Sequence, residues 1–99
     1  MREFGTTIRA LREKKGLLLR QVAAELDIDT ALLSKVERGE RSIKKEQVVR
    51  VAEIIGAETK DLLVLWLSAK INDVLEKEDY AEEALLVTLK KIKEMGKKC

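Results

Sequence analysis

Four residues, Asp27-Ile28-Asp29-Thr30, separate two short runs with the apolar spacing of an α-helix. A connection this short leaves two short helices no room to lie side by side along a common axis. It forces them to cross steeply, with small residues where they approach. The first run is predicted to cover about 18–26, with Val22, Ala23 and Leu26 inward. The second starts at Asp29 or Thr30 and ends before Gly39, with Leu33 and Val36 inward at i, i+3. Asp29 suits the helix N-cap, and Ala23 is small where the second helix must come close.

The rest of the chain repeats the helical period, and no alternating pattern predicts a strand. A helix is expected over about 3–14, with Phe4, Ile8 and Leu11 on one face and Gly16 just past its end. Another is expected over about 45–55, with Val48, Val51, Ala52 and Ile55 inward and Gly56 ending it. Thr59 is read as the cap of a fifth helix over 60–77, and a sixth runs from about Tyr80 to Met95. The chain has 99 residues, no proline, 45% hydrophobic residues and only 3% aromatic ones, so the core must be built from aliphatic side chains. The expected class is all-α: five helices in a compact unit, the fifth extended into a C-terminal helical hairpin.

Several functions are disfavoured by what the chain lacks. It has no histidine, no cluster of metal ligands and no phosphate-binding glycine loop, and its single thiol is the last residue, Cys99. An enzyme is therefore not expected, nor any cofactor or metal. The longest apolar run, "LLVLWL" at 62–67, is far below the roughly 20 residues a membrane span needs. With no secretory pattern at the N-terminus, a cytoplasmic protein without membrane contact is expected. Net charge is only +2, but residues 1–45 carry eleven Lys/Arg against seven Asp/Glu, whereas 62–99 carry seven of each. A mildly basic N-terminal half can face a polyanion.

Taken together, "IRALREKKGL", Ala23, "LLSKVERGER" and "VVRVAEIIGAETKDLL", in that order, resemble the Cro and phage-repressor (Xre-type) helix-turn-helix family over residues 4–66. The resemblance implies a DNA-binding domain over 1–66, with the helix at about 29–38 entering the major groove. It also implies that Glu37 pairs with Arg12, a structural role for both. Two positions depart from the family pattern. Leu19 stands where the family has a phosphate-contacting glutamine, so Arg20 or Gln21 is expected to take over that contact. Asp27 stands where the family has the turn glycine; aspartate tolerates a left-handed backbone better than most residues.

A groove about 12 Å wide admits a helix whose outward residues are small. Thr30, Ala31, Leu32, Ser34 and Lys35 fit that demand. Lys35 can reach guanine acceptors or a phosphate, Thr30 and Ser34 can bond to base edges or phosphate, and Ala31 and Leu32 can meet a thymine methyl. Arg38, Arg41, Lys44 and Lys45 follow as a basic exit suited to phosphates, which position rather than specify. Asp29 and Glu40 oppose tight binding near the same face. One copy is therefore expected to bind weakly, and a homodimer would dock two such helices about 34 Å apart.

Residues 67–99 exceed what the DNA-binding unit needs and are expected to dimerise the chain. Leu65, Trp66, Leu85, Leu89 and Ile92 are the candidate interface. The function expected is a sequence-specific, homodimeric autorepressor acting on double-stranded DNA. Its size is similar to stand-alone repressors, including the controller proteins of restriction–modification systems. Two other readings stay open: an antitoxin-like or adaptor protein whose hairpin binds a different protein, and a helical interaction module that no longer binds DNA.

Overall fold

The computed structural model describes residues 1–97; Cys99, a possible link between chains, lies outside them. Six helices follow one another: α1 (Arg2–Lys14), α2 (Leu19–Glu25), α3 (Thr30–Glu37), α4 (Lys45–Ile55), α5 (Thr59–Leu75) and α6 (Ala81–Lys97). No strand occurs among the described residues. The first four helices stop by the same device, a residue in the left-handed backbone region whose successor donates back into the last turn. In α2 that residue is Asp27, at φ 56°, with Asp27 N–H bonded to Ala24 C=O and Ile28 N–H to Ala23 C=O. The tight turn expected between α2 and α3 therefore forms, on an aspartate where glycine costs less.

The core fills the space among α1 to α5. Phe4, Ile8, Val22, Leu33, Val36, Val48 and Val51 are fully buried. α1 packs on α3, α4 and α5, while α2 packs on α3 and α4 on α5. α5 contributes Leu62, Trp66 and Ala69, so the core continues past residue 66 into the segment assigned to the extension. Glu58, not Thr59, is the N-cap of α5.

Trp66 requires a correction. It was expected at an interface between chains, yet it is only 5% exposed and belongs to this core. Its indole Nε1–H donates to the carbonyl of Ile43 at 3.1 Å and to Ser42 Oγ at 3.2 Å. A buried indole needs such a partner, and the loop before α4 supplies it. The Lys70 ammonium lies 4.0 Å from the ring centroid, a cation–π contact on the outer side. Leu65 also leans partly on the core.

The two C-terminal helices exist where expected, joined by a short turn, and α6 has no extensive packing along α5. The turn between them passes through Lys77 at φ 67°. Asp73 near the end of α5 is bonded to the Met1 ammonium at 2.9 Å, and Asp73, Glu76 and Glu82 share an open cleft with Arg2. α6 leaves the unit as an arm. Leu85 and Leu89 are each 43% exposed and Ile92 57%.

Candidate nucleic-acid interface

α3 is held from both ends and from behind. At its start, Asp29 accepts a hydrogen bond from Ala31 N–H at 2.9 Å, which satisfies one of the unpaired donors of the first turn. At its end, Gly39 sits at φ 80°, and a Cβ there would lie 2.7 Å from Arg2 Cα. Behind it, Gly5 of α1 meets α3 backbone to backbone: a Cβ on Gly5 would stand 2.3 Å from Val36 O and 2.6 Å from Glu37 O. No side chain fits that contact. Sequence reasoning passed over Gly5, although a glycine inside a helical pattern is a recognisable sign of close approach.

Arg12 and Glu37 lock the same seam. Arg12 Nε donates to Glu37 Oε2 at 2.7 Å and Nη2 to Oε1 at 3.0 Å, a bidentate pair between side chains that are 12% and 6% exposed. Nη1 donates to the Leu17 carbonyl at 2.8 Å. The hydrogen bond to Glu37 raises the Arg12 pKa above its ordinary value, against the opposing effect of burial. This ion pair fixes α3 relative to α1 and to the loop that enters α2. It is the pairing that the resemblance implied.

With its inner side committed, α3 turns Thr30, Ala31 and Lys35 to solvent, and Ser34 is partly exposed. Leu32 is divided: it is partly buried and packs against the core edge, so only part of it faces outward. Arg38 is exposed and pairs with Glu40 at 3.2 Å, so this carboxylate competes for the guanidinium with any incoming anion. Arg41, Lys44 and Lys45 are exposed on the connection from α3 into α4.

At the start of α2, Arg20 is exposed and Gln21 has a structural use. Gln21 Oε1 accepts the Leu18 N–H at 2.8 Å, half of a capping box; leucine has no side-chain acceptor to return the bond. Its amide NH₂ still faces outward as a donor. Gln47 repeats the arrangement at the start of α4, accepting Lys44 N–H at 2.7 Å, which orders Lys44 at the helix entrance. Neither capping glutamine was foreseen as such, because the usual sequence sign is Ser, Thr or Asp at the cap, and here leucine and lysine stand there. Leu19 is partly buried against the core. The outward residues of α3 are thus small apart from Lys35 and the partly buried Leu32, and Arg20 before the helix and Arg38, Arg41, Lys44 and Lys45 after it in the chain are all exposed. No group of His, Cys, Asp or Glu among the described residues could hold a metal ion.

Comparison with known proteins agrees with this geometry. Residues 3–66 match the family model of a helix-turn-helix domain. The chain is 30% identical over 61 residues to the control protein C.BamHI of Bacillus amyloliquefaciens, covering 61% of this chain and 75% of that protein. Among solved structures, it is similar to the clp gene regulator ClgR of C. glutamicum, with a TM-score of 0.55 and 29% identity, covering 67% of this chain and 86% of that one.

Proposed function

The chain belongs to the Xre-type helix-turn-helix regulator family, whose members bind double-stranded DNA, and we propose that it is a sequence-specific transcriptional autorepressor working as a homodimer. The observation that carries this reading is α3 itself. It is short and capped, is pinned by Gly5, Gly39 and the Arg12–Glu37 pair, and offers Thr30, Ala31, Ser34 and Lys35 outward. A reading helix must be rigid, because a bidentate base contact is worth about 1–3 kcal/mol only when its geometry is held. The N-terminal turn of α3 would lie at the base edges. Arg20, Arg41 and Lys44 would hold the flanking phosphates, with Gln21 donating through its free amide NH₂. Two copies are needed because one carries few positive charges at this face and has Asp29 and Glu40 against it.

The test is titration of the protein with its own upstream DNA and with a random duplex, each at two salt concentrations. The expected result is tighter binding to the upstream duplex and a steep loss of affinity with salt, since each neutralised phosphate adds about 0.9 to the slope of log K against log salt. No binding to either duplex at low salt, by folded protein, would sink the reading. The exposed apolar residues of α5 and α6 favour one alternative: an adaptor or antitoxin-like protein whose arm binds a different chain. A stable homodimer of the isolated protein counts against that alternative.

A further inference from the structure

α6 is a helix without a partner. Helices in proteins owe most of their stability to an apolar face packed on something else. Beyond its first turns α6 has no extensive packing against another element, yet Leu85, Leu89 and Ile92 recur on one side of it and are exposed. The chain as a whole carries too much surface. Its accessible area is 7390 Å², whereas a compact monomer of this mass exposes about 5,700 Å². The radius of gyration is 15.4 Å against about 12.6 Å for a compact domain of this length. The surplus, about 1,700 Å², exceeds the roughly 800 Å² that each partner gives to a standard interface.

The first turns of α6 form one wall of an open cleft of about 700 Å³, contributed by Ala81, Glu82 and Leu85. Ala69, Leu75 and Glu76 of α5 form another. Met1, Arg2, Glu3 and Asp73 also line it, with the Met1 ammonium on Asp73 at 2.9 Å; carboxylates still outnumber cations there, so an occupant that is apolar on one side with basic residues beside it complements the cleft. The C-terminal half of α6 has that character: Ile92 is apolar, and Lys91 and Lys93 are basic on its two flanks. It cannot reach the cleft of its own chain, because it continues straight on from the cleft's wall.

We infer that two copies pair through α6 in antiparallel fashion, each placing the second half of its α6 in the cleft between α5 and α6 of the other. This rests on the homodimer reading above. At 100° per residue, Ala81, Leu85, Thr88 and Ile92 form one stripe, and Glu82 and Lys93, eleven residues apart, fall on the same flank of it. In an antiparallel pair centred near Thr88, like flanks meet. Leu85 then faces Ile92 of the other copy, and Glu82 faces Lys93, each twice by symmetry. Thr88 at the centre is suited to an apolar contact. Its hydroxyl already donates to the Ala84 carbonyl at 2.9 Å, leaving the methyl group for the interface. A parallel pair would bring opposite flanks together, so Glu82 and Lys93 would not meet.

In a Cys99→Ser background, a chain carrying both Glu82→Cys and Lys93→Cys tests the arrangement by oxidation. The two positions lie about 16 Å apart along one helix, too far to bond within a chain, so any disulfide joins two copies. Most of the protein should become a covalent dimer, while Glu83→Cys with Lys90→Cys, on the opposite face, should give little. Reversal of one charge, Glu82→Lys or Lys93→Glu, should weaken dimerisation about tenfold, and the double reversal should restore it. A dimer by sedimentation that does not form the 82–93 disulfide, or that pairs instead through Leu67→Cys on the outer face of α5, overturns this seat and leaves the homodimer reading intact. A folded monomer in sedimentation removes both. A double reversal as weak as the single ones also overturns it.

Discussion

The two ends of this chain use similar amino acids to opposite effect. In α1 to α4, leucine, isoleucine and valine point inward, and the exposed faces are charged or small. In α6, leucine, isoleucine and valine point to solvent. The helical period is equally clear in both, so periodicity alone does not say whether a helix is covered. What separates them is closure. Each helix of the N-terminal unit has a neighbour fixed by a turn of a few residues, whereas α6 follows α5 without extensive packing along it.

This contrast can be broken or sharpened by substitution. The largest effect is expected from Phe4→Ala, which empties a fully buried site on α1 and should cost about 3–5 kcal/mol in denaturant unfolding. The matching truncation on the arm, Leu86→Ala, removes a side chain that is already 59% exposed and should cost under about 0.5 kcal/mol. Equal losses at the two sites would mean that the arm folds into the unit in solution.

Arg12→Ala comes next. It leaves the Glu37 carboxylate buried without its cation and should cost about 3 kcal/mol by the same measurement. Titration cannot substitute for this mutation. Because folding raises the Arg12 pKa, the linked stability is complete below the unfolded value and fades only as pH rises through the still higher folded one. The stability should therefore show no arginine-linked change across the neutral range. Arg12→Ala is also expected to weaken DNA binding, since α3 loses its anchor, whereas Lys35→Ala should weaken binding by about 1–3 kcal/mol with no change in unfolding. The smallest effect is expected from Asp27→Gly, which relieves a left-handed aspartate and should raise stability by about 0.5–1 kcal/mol in thermal melts.

Much of the unit was legible from the residues. The four turn positions, the inward faces of α1 to α4 and the outward row of α3 follow from spacing and caps. The Arg12–Glu37 pair came from resemblance; spacing alone gives no reason to join residues so far apart. Trp66 was misread because α5 has apolar residues on two sides, Leu62, Trp66 and Ala69 on one and Val64, Leu67, Ile71 and Val74 on the other. A carbonyl on the Ser42–Ile43 loop decides between them, and nothing in α5 announces that bond. The course of α6 was illegible for a different reason: it has no extensive packing against its own chain, so no local pattern fixes its direction. The capping roles of Gln21 and Gln47 were hidden by unusual residues at the caps they complete.

The hydrogen bonds of Trp66 carry one more consequence, an optical one. It is the chain's single tryptophan, and its indole is tethered to the loop that bears Arg41 and Lys44, with a lysine ammonium over its outer face. Indole emission shifts with the polarity and charge around the ring. Any rearrangement of that loop on meeting a phosphate backbone should therefore change the intrinsic fluorescence of the native protein, with no label added.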